Sequence, residues 1–285
     1  MEGILVINKP KGITSYDVIR KVSKILGIKK IGHTGTLDPI ATGVLVLTIG
    51  SYTKVSELLV STDKEYIATA KLNILTDTLD TSGKEIAKGD KKIDRDTLEK
   101  VLNSYQKTYL QEVPIYSAVK VKGKKLYEYA RNNEDVVLPK KEVTIKEIEP
   151  LEYNEDTFKF RCVVSKGTYI RSLIRDIGDS LGTCAVMSEL NRTRQGKFTL
   201  DEAYSLEDIE KDNYKLLALD DVLEAEVIEV DYELFNKIKN GSKLENTFNI
   251  KDKVIFKYNN QILALYKLEK GILKVDKMLY KRENF

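Results

Sequence analysis

The feature that most constrains this chain is the run Gly32-His33-Thr34-Gly35-Thr36-Leu37-Asp38-Pro39-Ile40-Ala41-Thr42-Gly43. Glycine frees the backbone and proline removes a hydrogen-bond donor, so a stretch with three glycines, a proline and three threonines reads as a tight loop. It lies between a basic helical segment and the apolar run 44–49, a buried strand by its composition. A tight loop held at both ends presents its one carboxylate, Asp38, at a fixed position among backbone amides. Local spacing alone equally fits a structural turn in which Asp38 supports the segment that follows. The phosphate-binding pattern GxxxxGK[ST] is absent.

Periodicity around the loop predicts a mixed architecture. Residues 3–8 read as a strand running into the turn Lys9-Pro10-Lys11-Gly12. Thr14 and Asp17 have capping-box spacing, and Val18, Ile19, Val22, Ile25 and Leu26 follow helical period up to Gly27. Strands are expected at 66–72, 117–121, 143–151 and 158–164, and helices at 96–105, 126–131 and 170–181. Residues 132–142 are polar and charged, which predicts a mobile excursion. Strands and helices do not alternate strictly, so the class is α+β and not a doubly wound sheet. Near residue 222 the character changes to short strands and Asn-Gly, Asn-Asn and Lys-Gly turns, which predicts a small β-rich module of about 60 residues.

Composition excludes more than it selects. Of 285 residues 42% are hydrophobic, enough for a proper core, and the net charge of +3 permits an RNA partner without demanding one. No run approaches the roughly 20 apolar residues of a membrane helix, and the N-terminus has no secretory pattern. Cys162 and Cys184 are the only cysteines and His33 the only histidine, which argues against a disulfide framework or a metal site. The expectation is a cytoplasmic protein with reduced thiols, no metal and no membrane.

The loop and six further blocks carry a resemblance. GHTGTLDPIATGVL resembles the active-site motif of the tRNA pseudouridine-55 synthases, the TruB family. INKPKGITSYDVIRKV, DKEYIATAKL, TDTLDTSGK, VPIYSAVKVKGKKLYEYAR, SKGTYIRSLIRDIG and LNRTRQGKF resemble other family blocks in the expected order. The resemblance implies a pseudouridine-synthase fold whose central sheet is mixed and mainly antiparallel, flanked by helices, over residues 1–222. Within it, 124–142 would be an RNA-gripping insertion. Looser similarity of LFNKIKNGSKL and ILALYKLEKGILKVDKML to a PUA-type domain implies a barrel-like RNA-binding unit over 223–285.

The same resemblance implies roles residue by residue. Asp38 would be the catalytic carboxylate, and one suffices, because the isomerisation needs no activated water. Tyr66, by itself more often a core aromatic, would stack on the flipped base; Arg171, by itself an ordinary helix arginine, would orient Asp38. His33 would fill the space the base vacates, a role in flipping and not in proton transfer. Lys9 and Pro10 would pack under the site, Leu190 would line it, and Tyr169 precedes Arg171 in the same block. Lys120, Lys122, Lys124 and Lys125, interleaved with tyrosines, form one basic cluster; Arg192, Arg194 and Lys197 form a second. Either could contact RNA phosphates or be a solvated face. The implied substrate is tRNA, held at its T-arm and acceptor stem by a monomer with no cofactor and no guide RNA. Three alternatives remain: a non-catalytic tRNA-folding protein, a guide-dependent synthase, and a glycoside hydrolase.

Overall fold

The computed structural model of the chain describes residues 1–60 and 62–280. Its centre is a nine-stranded sheet. Along the main path the strands run Gly3–Lys9, Thr42–Ile49, Ala185–Gln195, Lys64–Leu72, Thr157–Val164, Lys140–Tyr153 and Thr108–Glu112. Ile31–His33 flanks Thr42–Ile49, and Phe198–Thr199 flanks Ala185–Gln195. Every pairing is antiparallel except one: Asn191 and Arg192 meet Thr42 and Gly43 in parallel. The sheet is therefore mixed and mainly antiparallel, as the resemblance implies.

Helices pack on this sheet through the stripes their period provides. In Ser15–Leu26 the Thr14 hydroxyl accepts the Asp17 N–H, the Asp17 carboxylate accepts the Thr14 N–H, and Gly27 ends the helix at φ 68°. Ile170–Ser180 buries Ile170, Leu173, Ile174 and Ile177 against Ala68, Ala70 and Met187. That packing sets the helix's first turn, with Arg171, over the middle of the sheet.

A second, five-stranded sheet runs in the order Glu226–Glu229, Lys253–Tyr258, Gln261–Glu269, Ile272–Met278, Leu244–Glu245. With the helix Tyr232–Ile238 it encloses its own core around Phe256, Tyr266 and Phe235. The two sheets also share a core: Ile4, Val6, Val44 and Val46 pack in one cluster with Ile255, Leu265 and Leu279. Residues 281–285 of the expected 223–285 unit lie outside the described residues. No helix among the described residues is long and apolar enough to cross a membrane.

Several strands differ from the expectation. Ala185–Gln195 hides its alternation because bulges at Met187/Glu189 and Arg192/Arg194 reset the period of two. Thr108–Glu112 is an edge strand with only Gln111 buried, so no apolar alternation marks it. The expected strand at 117–121 shortens to Lys120–Val121, paired with Lys124–Lys125. The excursion expected at 132–142 is shorter too. Lys140, Lys141 and Glu142 pair with Glu112, Gln111 and Leu110, and their charge suits an edge of the sheet.

Candidate active site

Glycine and short polar side chains hold the loop from residue 34 to residue 41. The Ser15 hydroxyl accepts the Leu37 N–H (2.9 Å) and donates to the Leu37 carbonyl (3.1 Å). Gly12 N–H donates to Pro39 O at 2.8 Å, Ala41 N–H to Asp38 O at 3.0 Å, and the Gln195 amide to Thr34 Oγ1 at 2.5 Å. Where the loop joins its strand, Gly43 has φ 102°, and a Cβ there would stand 2.3 Å from the Arg192 carbonyl oxygen. Only glycine fits that parallel seam. Asp38 is thus fixed by backbone contacts on both sides of its peptide.

The carboxylate meets Arg171 in a two-point pair: Nε to Oδ2 at 2.9 Å and Nη2 to Oδ1 at 3.2 Å. The guanidinium is itself tethered, Nη1 donating to Thr78 O (2.9 Å) and Nη2 also to Tyr116 O (3.0 Å). Arg171 is almost fully buried, whereas Asp38 keeps 32% of its side-chain surface open to the cleft above. Burial pushes the Asp38 carboxyl above the usual carboxylate range; Arg171 pulls it back, Asp80 adds to the rise and Lys9 opposes it. Asp80 comes from the TDTLDTSGK block, in which the sequence alone singles out no residue. Its Oδ1 accepts from the Thr78 and Ser82 hydroxyls and the Ser82 N–H, so the residue orders the turn that supplies the Thr78 carbonyl to Arg171.

Asp38 lies in a cleft of roughly 500 Å³ whose lining includes Tyr66, Tyr169, Arg171, Leu190 and Arg192. Tyr66 is buried on the strand Lys64–Leu72, and burial raises its phenol while Arg192 acts against that rise. The Tyr169 N–H, at the head of the Arg171 helix, donates to Gln111 Oε1 at 2.8 Å. Lys9 is fully buried, its ammonium donating to the Pro10 and Ile13 carbonyls at 2.9 and 2.7 Å. Burial lowers it to about 8, against the pull of Asp38. His33 stands outside the cleft lining, half-buried on its strand. Its Nδ1 accepts the Gly35 N–H at 3.3 Å, and burial and Arg192 lower its pKa, which favours the neutral ring.

The two basic clusters fare differently. Lys120 and Lys122 are exposed on their hairpin. Lys124 pairs with Glu134 at 2.5 Å and lies over the Tyr129 ring, and Lys125 lies over Tyr127. The second cluster does not form a surface patch. Arg192 is buried, donating from Nε to Val44 O (2.7 Å) and from Nη2 to Gly35 O (3.1 Å), so it braces the Asp38 loop from beneath. Arg194 faces Glu65 at 3.8 Å, and Lys197 donates to the Asp221 carbonyl. Nothing in the spacing of Arg192 and Arg194 marks one as interior, because a bulge separates them. Among the described residues no cluster of three or more His, Cys, Asp or Glu could hold a metal.

Comparison with known proteins bears on this arrangement. The subunit in a crystal structure of a Cbf5-Nop10-Gar1 complex superposes with a TM-score of 0.71 at 26% identity, over 99% of this chain and 86% of that one. A chain in an H/ACA RNP bound to a substrate RNA containing 2'-deoxyuridine gives 0.70 at 25% identity, with the same coverage. Residues 23–170 match the model of the TruB family pseudouridylate synthase N-terminal domain, and 171–233 that of the tRNA pseudouridylate synthase B C-terminal domain. Fold and site together define a pseudouridylate synthase.

The chain belongs to the TruB family. It is 40% identical to the tRNA pseudouridine synthase B of Clostridium tetani over 95% of this chain and 94% of that protein. Against the enzyme of the same name from Caldanaerobacter subterraneus it is 41% identical over 91% and 92%. For that of Fusobacterium nucleatum the figures are 48% over 70% of each.

Proposed function

We propose that the chain converts uridine 55 in the T-loop of tRNA to pseudouridine, using Asp38 on a base flipped into the cleft. The observation that carries the reading is the tethered Asp38–Arg171 pair at the cleft floor. The reaction breaks the bond from ribose carbon one to uracil nitrogen one and joins the same ribose carbon to uracil carbon five. Carbon five then loses its proton and nitrogen one gains one, so atoms and electrons balance without an added reagent. Arg171 holds the carboxylate ionised and aimed, leaving its open edge for the ribose or the base. Tyr66 offers a buried ring face for stacking and Leu190 an apolar wall. His33, favoured as the neutral ring and standing outside the cleft lining, suits occupation of the vacated stack better than proton transfer.

The names of the relatives support tRNA as the substrate. Identity near 40% to those enzymes, against 25–26% to the chains of the H/ACA RNP and the Cbf5-Nop10-Gar1 complex, favours the tRNA reading, and with it action without a guide RNA. On this reading the chain works as a cytoplasmic monomer. Residues 1–222 are the catalytic unit, with Tyr169, Lys120 and Lys122 beside the RNA path, and 223–285 are a PUA-like unit on the acceptor stem. The test is pseudouridine formation on an unmodified tRNA transcript by the wild type and Asp38→Ala, with binding measured in parallel. Wild-type turnover at the T-loop uridine, with binding alone kept by the variant, is expected. Binding without turnover by the wild type overturns the reading.

A further inference from the structure

We infer that Gln111 is a positioning residue for the reaction: its side chain fixes the head of the helix that delivers Arg171 to Asp38. This rests on the function proposed above.

Three observations meet at this residue. Gln111 is the one buried member of the edge strand Thr108–Glu112, only 1% exposed, between half-buried Tyr109 and Glu112 and exposed Thr108 and Leu110. A glutamine, long and polar, is placed inside at the cost of desolvating its amide, so its hydrogen bonds must account for the burial. Both halves of that amide are used. Oε1 accepts the Tyr169 N–H at 2.8 Å, and Nε2 donates to the Tyr109 hydroxyl at 2.8 Å.

The bond to Tyr169 has a particular value. Tyr169 is the N-cap of the helix Ile170–Ser180, and its side chain supplies no capping bond. The first backbone N–H groups of a helix have no partner within it. Gln111 takes over one such role from another strand, two residues before Arg171. The chain enters the helix through the turn Lys166–Gly167, with Gly167 at φ 89°; the Thr168 N–H and hydroxyl both return to the Ser165 carbonyl, and the Tyr169 bond reaches the edge strand just before the helix begins.

The same edge strand clamps the next two turns. Ser172 Oγ donates to Glu112 O at 2.8 Å, Arg175 pairs with Glu112 at 3.0 Å, and the Tyr109 hydroxyl donates to Asp176 Oδ2 at 3.1 Å. Residues 169, 172 and 176 stand on one helix face (i, i+3, i+7), leaving Arg171 directed to Asp38, Thr78 and Tyr116. Gln111 is the side chain of this clamp that holds the helix ahead of Arg171, while the Glu112 carbonyl holds Ser172 just after it. In the sheet register it pairs with Lys141, so the strand carrying it is sewn to the end of the charged segment that follows 131. A displacement of about 1 Å at a positioning group can cost about a hundredfold in rate.

The experiment compares wild type, Gln111→Met and Gln111→Glu. The methionine keeps the shape and removes both hydrogen bonds; the glutamate keeps an acceptor for the Tyr169 N–H. Single-turnover rates on a tRNA transcript are measured against pH, with tRNA Kd and the thermal midpoint as controls. The groups facing Asp38 that shape such a profile are Arg171, Asp80, Lys9, Tyr66 and Tyr169.

Gln111→Met should fold, hold tRNA within about twofold, and lose about tenfold or more in rate. Its acid limb should move to higher pH, because a displaced Arg171 no longer opposes the raised carboxyl of Asp38. Gln111→Glu should recover most of the rate and the wild-type limb. A wild-type rate and profile in Gln111→Met overturns the inference. So does an equal loss in both variants with the acid limb unmoved, which would make the residue part of general stability alone. An inactive wild-type protein would instead refute the proposed function, and the two failures are thereby separate.

Discussion

Replacing Arg171 with methionine tests the heart of the site. The change deletes both bonds to Asp38 and the bonds to the Thr78 and Tyr116 carbonyls. Removing one partner of a fully buried pair costs about 3–5 kcal/mol. Asp38 keeps a third of its surface in the cleft, where water can take the place of part of the guanidinium. Screening reduces the expected loss of stability to about 2–3 kcal/mol, and the carboxylate, no longer held in place, should cost about a hundredfold in the single-turnover rate. The pH dependence gives an independent reading. The active form is the carboxylate, so the rate rises with pH through the Asp38 pKa. Burial already places that pKa above the usual range, and Arg171 is what restrains it. The acid limb should therefore move to higher pH in the variant. Tritium released from uridine carbon five follows the rate, and tRNA binding is measured alongside. A rate within threefold of wild type with an unmoved acid limb would refute the role given to the pair.

Three further outcomes follow from the geometry. Gly43→Ala should lower stability by about 3 kcal/mol or more by thermal unfolding, because a Cβ would overlap backbone atoms in the parallel seam and φ is 102°; an unchanged melting temperature would contradict the seam. Arg192→Met should likewise be destabilising and leave the salt dependence of tRNA binding intact, since its guanidinium serves the Val44 and Gly35 carbonyls. Lys120→Ser with Lys122→Ser should do the opposite: wild-type melting, with the slope of log K against log salt falling by about 1 for each phosphate no longer neutralised. Unchanged binding by the double variant would remove that hairpin from the RNA path.

What was legible in the sequence follows physical lines. The Thr14 capping box, the Gly27 stop and the Ile170–Ser180 stripe were readable because each depends on residues within one or two turns. The strand Ala185–Gln195 was not, because its two bulges exist only against the strand Lys64–Leu72. Arg192 and Arg194 illustrate the consequence for function. Close in sequence and alike in charge, they read as one basic cluster, yet one is interior and the other faces Glu65. Asp80 and Gln111 escaped for a related reason. Asp80 orders its own turn and matters only because Thr78 of that turn meets Arg171 from far along the chain, and Gln111 acts on the head of a helix likewise distant from it in sequence.

The change of character near residue 222 shows the same limit from the other side. Strand length and turn type change there because the second sheet has a different local pattern, and both are local properties. Packing does not respect that line. Ile255, Leu265 and Leu279 complete a cluster begun by Ile4, Val6, Val44 and Val46 on strands of the first sheet. Lys257 pairs with Asp220 at 2.8 Å, and Lys54 donates to the Met278 carbonyl at 2.7 Å. One of the two matched family models also crosses it, running from 171 to 233. Val44 and Val46 belong to the strand that leaves the Asp38 loop, so the second sheet buries the back of the element that anchors the Asp38 carboxylate. Its apolar contacts therefore support the site as well as any RNA surface the unit carries, and a composition boundary here is not an energetic one.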